Sequence, residues 1–167
     1  GIARVAVREI GQPPAGVVHQ PVRLAARTPP HTHLLRPRIE AEDRVADMGT
    51  YSTAPVDYPI VAHKVAGKVS KGEFSKGILI CGSGIGMSIV ANRYRKVRAA
   101  LCHNLFTVKL SRLHNDANIL VLGGRVLGLG LALDMVDLFL QTEFEGGRHQ
   151  RRLDEIDPTQ SPEGRPQ

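Results

Sequence analysis

From Met48 onward the apolar residues fall into two alternating rhythms, one suited to helices and one to buried strands. Tyr58-Pro59 opens the first helical stretch, with Pro at an early position and Val61, Val65, Ala66 and Val69 on one face, and the stretch stops near Gly72. Gly77-Ile78-Leu79-Ile80-Cys81 reads as a buried parallel strand. It runs into Gly82-Ser83-Gly84-Ile85-Gly86, and a helix follows over Met87 to Tyr94. A second unit repeats the order: strand Val97 to Cys102, helix Phe106 to His114, strand Asn118 to Leu122, helix Leu129 to Phe139, and a last helix from near Gly147. Such alternation predicts an α/β fold whose parallel sheet is covered by helices on both faces.

Upstream of Met48 this rhythm breaks. Only Ile2 to Val7 alternates like a strand, and residues 1–47 hold seven Arg, no Lys and six of the eleven Pro, with Pro13-Pro14 and Pro29-Pro30 interrupting any long helix. The chain therefore divides into an atypical segment over 1–42, a core domain over 43–156 and a polar, Pro-containing tail over 157–167 that is expected to be disordered.

Composition narrows the class further. At 167 residues and 42% hydrophobic content the chain can bury one sizeable core, and two domains would be cramped. No apolar run approaches the roughly 18 residues of a membrane helix, and the N-terminus lacks the order of a signal peptide, so a soluble, cytoplasmic protein is expected. The net charge of +6 suits a phosphorylated ligand, a nucleic acid or an acidic surface. Nucleic acid is the least favoured of these, because 4% aromatic residues leave few stacking platforms and no known module is present. Two cysteines, Cys81 and Cys102, each within an apolar strand-like run, argue against a disulfide framework or a zinc site.

In parallel sheets ligands gather at the carboxyl ends of the strands, which is where the Gly82 to Gly86 turn falls. Glycines there let backbone N–H groups converge on an anion, although the turn lacks the Lys of a phosphate-binding P-loop and its third Gly comes one place early for a dinucleotide fingerprint. A tight structural turn explains such a sequence equally well. Cys81 stands directly before it, where amide N–H groups and a helix terminus favour a thiolate able to abstract a proton; the plainer role is a small hydrophobe closing a strand. Cys102 has nothing comparable beside it and is expected to be structural. His114-Asn115-Asp116 closes a helix, and His114 could exchange a proton while Asn115 bonds a sugar hydroxyl, or His114 could merely cap the helix. Arg148 and Arg152, four apart on the last helix, share a face and could converge on a phosphate or carboxylate; Arg125, at another strand end, could join them. An exposed basic face is the ordinary reading of that cluster. His63, on the polar side of the first helix, is expected to be solvated.

Together these stretches resemble the type B ribose-5-phosphate isomerases, a family that includes the galactose-6-phosphate and allose-6-phosphate isomerases. The resemblance covers Gly49-Thr50-Tyr51-Ser52, Asp57-Tyr58-Pro59, Gly77 to Ser88, Arg98 to Cys102, Ser111 to Asn118, Val121 to Arg125 and Phe144 to Arg152. It implies a Rossmann-like three-layer sandwich with a parallel sheet of about five strands. It also implies a homodimer or a tetramer with active sites between subunits, a phosphorylated pentose substrate, and no metal or organic cofactor. The reaction implied is aldose–ketose interconversion through an enediol. By position Cys81 matches the base that moves a proton between C2 and C1, and His114 matches the residue that opens the furanose ring. Ser83, standing where the family commonly has Thr, keeps the hydroxyl of the catalytic turn. Asn115 matches a sugar contact, Arg148 and Arg152 match phosphate-binding arginines, and Tyr51 and Arg125 match residues lining the site. Backbone N–H groups of Gly82, Gly84 and Gly86 would hold the enediolate.

One departure stands out at the front of the chain. The family opens with a strand ending in an Asp-His pair that contacts sugar and phosphate, and this chain has no Asp-His anywhere. His31 and His33 lie in a Pro-flanked stretch without that context. The first 42 residues are therefore read as a divergent replacement or a shifted reading frame, with Ile2 to Val7 as a substitute strand. A second functional reading follows: a sugar-phosphate-binding protein that is non-catalytic or depends on a partner chain.

Overall fold

The computed structural model describes residues 4–8, 46–49 and 56–156. In chain order the elements are β1 (Arg4–Arg8), α1 (Tyr58–Ser70), β2 (Lys76–Cys81), α2 (Ile85–Ala91), β3 (Ala99–Leu101), α3 (Leu105–Leu113), β4 (Ile119–Gly123), α4 (Leu129–Gln141) and α5 (Arg148–Ile156). The sheet order is β1-β2-β4-β3. β2, β4 and β3 are parallel, with Cys81 opposite Gly123 and Leu101 opposite Val121.

The central strands β2 and β4 are apolar on both faces, and their alternation assigns each residue to one of two cores. Leu79, Ile119 and Val121 face α1 and α2, where Val61, Val65, Ala66, Met87 and Ala91 meet them. Ile78, Leu120 and Leu122 face the other way, onto Val108 of α3 and Met135, Val136 and Phe139 of α4. Helices thus cover both faces, the three-layer sandwich expected from the alternation of elements.

Local chemistry sets the boundaries. Pro59 starts α1, and the chain leaves it through Gly72 at φ +73°. α2 begins at Ile85, two residues before the expected start. It stops at Ala91 because the Asn92 side chain turns to β3, donating to the Ala99 carbonyl at 2.9 Å and accepting from the Ala99 N–H at 2.8 Å. Asn104 caps α3 by accepting the Thr107 N–H at 2.9 Å.

The parallel sheet of the expected α/β fold is present in β2, β4 and β3. Among the described residues the whole sheet has four strands, and β1 pairs antiparallel with β2, Arg4 opposite Ile80 and Arg8 opposite Lys76. Either direction of pairing satisfies the outer N–H and C=O groups of β2, so the ladder itself imposes no direction. The direction does matter for position: β1 starts beside the carboxyl end of β2 and finishes beside its amino end.

Candidate active site

Two groups of candidate residues form, at opposite ends of the sheet. At the carboxyl ends, Cys81 is half-buried, and its Sγ accepts the Gly84 N–H at 3.2 Å. The Gly84 backbone is left-handed, φ +80°, and a Cβ there would strike the Leu101 side chain and lie 3.2 Å from the Leu122 backbone. At Gly86 the Tyr58 ring occupies the space a Cβ would take, so that glycine is also a packing requirement. Ser83 is exposed, with its Oγ 3.4 Å from the Ile85 N–H at the start of α2. Arg125 joins this group: its N–H donates to the Gly82 carbonyl at 3.0 Å while Gly124 donates to the Cys81 carbonyl at 2.8 Å. The Arg125 side chain lies over Gly82, within 3.6 Å of where a Cβ would sit.

His114, Asn115, Arg148 and Arg152 lie at the other end. α3 runs from the carboxyl side of β3 to the amino side of β4, and Asn118 accepts the Gly77 N–H at 2.8 Å at the beginning of β2. The loop after α4 is tied to the same end, because Lys76 Nζ donates to the Leu140 carbonyl at 2.8 Å and Glu145 donates to the Leu113 carbonyl at 3.1 Å. From the Gly77–Ile119 pair to the Cys81–Gly123 pair the sheet rises four residues, about 13 Å. Within one chain the structure does not bring Cys81 and His114 together.

His114 is held in a cluster the sequence reading missed. Its ring stacks on that of His149, centroids 4.1 Å and planes 7° apart, and Glu145 Oε2 stands 3.8 Å from Nε2 of each. His149 is 3% exposed, and Arg148 Nε donates to its Nε2 at 3.3 Å. Burial pushes the His149 imidazole below its ordinary value, and the neighbouring His114, Arg148 and Arg152 charges act in the same direction against Glu145. The signal available was the four-residue spacing of Glu145 and His149 across the Gly146-Gly147 turn. The nitrogen and carboxylate atoms of His114, Glu145 and His149 lie within 4.8 Å of one another. However, near-parallel imidazoles send their in-plane lone pairs side by side rather than toward one ion, a poor arrangement for a metal centre.

A second omission is the scaffold under His114. Arg112, 4% exposed, donates to Asp116 Oδ1 at 2.8 Å, the Ala117 carbonyl at 2.6 Å and the Thr142 carbonyl at 3.1 Å, while Arg98 bonds Asp116 Oδ2 at 2.7 Å. Asp116 adopts a left-handed φ of +41° within this network, which turns the chain tightly after Asn115. Asn115, Arg148 and Arg152 are exposed. Cys102 is buried, and that burial pushes its thiol up, as befits a structural cysteine. His63 is exposed and shares a 2.8 Å hydrogen bond with the Tyr94 hydroxyl. Tyr51, His31 and His33 lie outside the described residues. No helix among the described residues is long and apolar enough to cross a membrane.

Comparison with known proteins identifies the family. Residues 31–156 match the family model described as Ribose/Galactose Isomerase. Ribose-5-phosphate isomerase B of Escherichia coli is 48% identical over 118 residues, covering 71% of this chain and 79% of that protein. The ribose-5-phosphate isomerase B structure from Clostridium thermocellum superposes with a TM-score of 0.64 at 53% identity, over 65% of this chain and 74% of that one. The enzyme from Mycoplasma genitalium, solved with bound ribulose-5-phosphate, superposes with a TM-score of 0.61 at 45% identity, over 64% of this chain and 71% of that one. A shared fold, a cysteine before a glycine turn and a family match over most of the length lead to one assignment: the chain belongs to the ribose/galactose isomerase family.

Proposed function

We propose that the chain interconverts ribose 5-phosphate and ribulose 5-phosphate through an enediol, acting as a homodimer whose sites lie between subunits. The observation that carries this reading is Cys81, half-buried at a strand end with Gly84 donating to its sulfur and the Arg125 side chain beside the adjoining Gly82. In the aldose-to-ketose direction the Cys81 thiolate takes the proton from C2, the electron pair of that C–H bond becomes the C1–C2 double bond, and the pair of the C1 carbonyl moves onto O1. The hydroxyl proton of O2 passes to O1, the Cys81 thiol returns its proton to C1 as the double-bond pair closes on it, and O2 is left as the carbonyl oxygen on C2. The Gly84 N–H meets the Cys81 sulfur, and the other backbone N–H groups of the Gly82 to Gly86 turn, with the Ser83 hydroxyl, hold the developing oxyanion with little rearrangement as charge builds. His114 exchanges the proton that opens and closes the furanose ring. Asn115 bonds the sugar, Arg148 and Arg152 hold the phosphate by charge-assisted bonds, and Arg125 and Tyr51 line the site.

The separation of the two groups supports the dimer. The two ends of the sheet are about 13 Å apart along the strands, and Cys81 at one end and His114 at the other serve one substrate when each faces the complementary end of a second copy. Mixing two inactive variants tests this. Cys81→Ala and His114→Ala, unfolded together and refolded at equal concentration, are expected to recover roughly a quarter of wild-type activity: half the dimers are mixed, and one of their two sites is intact. No recovery from folded, mixed dimers would place both residues in one chain's site or remove one from the mechanism.

A second reading has an observation of its own. The sequence lacks the family's Asp-His pair, and β1 runs antiparallel and ends with Arg8 opposite Lys76, at the end of the sheet away from Cys81. A pair placed just after such a strand would not reach the Cys81 turn. On this reading the protein binds sugar phosphates and turns them over only with a partner chain. Isothermal titration with ribose 5-phosphate beside a turnover assay separates the two: binding without turnover by the pure homodimer favours the partner-dependent role. A cytoplasmic place in pentose-phosphate metabolism accompanies the enzymatic reading.

A further inference from the structure

We propose that His149 is a positioning residue for ring opening: its imidazole, face to face with that of His114, sets the plane in which His114 exchanges the ring proton. This inference rests on the isomerase reading above. The His114 side chain is 34% exposed at the end of α3, whereas that of His149 is 4% exposed on α5, so the stack joins an accessible ring to an immobile one. Glu145 Oε2, at 3.8 Å from Nε2 of both rings, is too distant for a hydrogen bond and supplies charge without fixing either plane. The parallel contact, 4.1 Å between centroids with 7° between planes, is what defines the orientation of His114.

The geometry also sets the state of His149. Its Nε2 accepts from Arg148 Nε at 3.3 Å, which requires an unprotonated nitrogen there. Burial and the positive neighbours Arg148, Arg152 and His114 keep the proton off this ring, with Glu145 opposing them. A neutral ring can lie against His114 whether His114 carries one proton or two, whereas two stacked imidazolium ions would repel. His149 therefore supplies a flat neutral surface through the whole proton exchange and touches neither substrate nor reacting atoms.

The experiment separates ring opening from the enediol step. Ribose 5-phosphate closes to a furanose and must be opened, but ribulose 5-phosphate has its O5 esterified and stays open. Its exchange of a C1 hydrogen with deuterated water needs only the enediol chemistry. His149→Leu fills the same volume without a flat ring, and His149→Phe keeps the ring without the nitrogens. With both variants shown folded by thermal melting, His149→Leu is expected to lower kcat for ribose 5-phosphate about tenfold, within the range of lost acid–base assistance, while deuterium exchange into ribulose 5-phosphate stays within about twofold of wild type. His149→Phe is expected to retain both activities within about threefold on the same scale. Equal loss of both activities in His149→Leu, no loss of either, or failure of a folded His149→Phe to retain ring opening would each overturn the positioning role. If His149→Leu does not fold, His149→Met, which also lacks a flat ring, takes its place under the same expectations. A wild type that processes neither sugar phosphate would instead overturn the isomerase reading, and the positioning role with it.

Discussion

Cys81 owes its candidacy to one neighbouring bond as much as to its thiol: the Gly84 N–H meets Sγ at 3.2 Å. Replacing it by Ala removes the proton carrier and little volume, so Cys81→Ala is expected to abolish isomerisation while calorimetry still detects ribose 5-phosphate; a variant keeping most of its turnover would remove Cys81 from the mechanism. Arg148 has a different fate on truncation. Loss of one charge-assisted phosphate bond costs about 1.5–3 kcal/mol, so Arg148→Ala is expected to raise KM roughly tenfold to a hundredfold, and an unchanged KM would end its phosphate role. His149 carries a pH signature in stability. Its imidazole is held below its ordinary value in the folded state, so the unfolded chain binds the extra proton first as pH falls past about 6.5. Stability from this source is complete above that pH and is lost below it. The melting temperature of wild type is therefore expected to fall more between pH 7.5 and 5.5 than that of His149→Phe, and parallel curves would contradict a buried neutral His149.

At the scale of elements, the turn between β2 and α2 and the turn after α3 do the placing. Gly84→Ala forces a side chain into a left-handed backbone against Leu101 and Leu122, and strain of that kind costs about 1–3 kcal/mol before any displacement of neighbours. Denaturant titration is expected to show at least that loss, together with lower turnover, since the N–H that meets Cys81 would move. The turn after α3 depends on the buried Arg112 guanidinium, whose loss would leave the Thr142 and Ala117 carbonyls without that donor. The helices, strands and turns were legible because their cues are local: Pro59 ahead of an apolar stripe, Gly72 after it, and Gly77 to Cys81 uninterrupted by polar residues. The limits of α2 were less so, because Asn92 ends it by bonding a strand that follows in the chain.

At the scale of the molecule, topology divides the site. Every parallel β–α–β connection carries the chain from one end of the sheet to the other, so the residue ending a strand and the residue ending the following helix cannot be neighbours. Cys81 ends β2, whereas His114 follows α3, the helix that returns from the carboxyl end of the parallel β3, and the recovery of activity in mixed Cys81→Ala and His114→Ala dimers is the expected result of that division. β1 adds a second molecular feature. It occupies the outer side of β2 in the antiparallel sense, so that its own last residue, Arg8, lies at the end of the sheet away from Cys81.

Sequence by itself determined the order of elements, the two-faced burial of β2 and β4, the candidacy of Cys81, His114, Arg148 and Arg152, and the family, because periodicity, turn chemistry and motif spacing act over short stretches of chain. Tertiary structure alone decided the rest. The stacking of His149 on His114, the Arg98–Asp116–Arg112 network and the direction of β1 each depend on which distant segments meet. So does the separation of the candidate residues to two ends of the sheet. Contacts made across the fold leave little trace in local sequence, and in this chain those contacts decide which residues can reach one substrate.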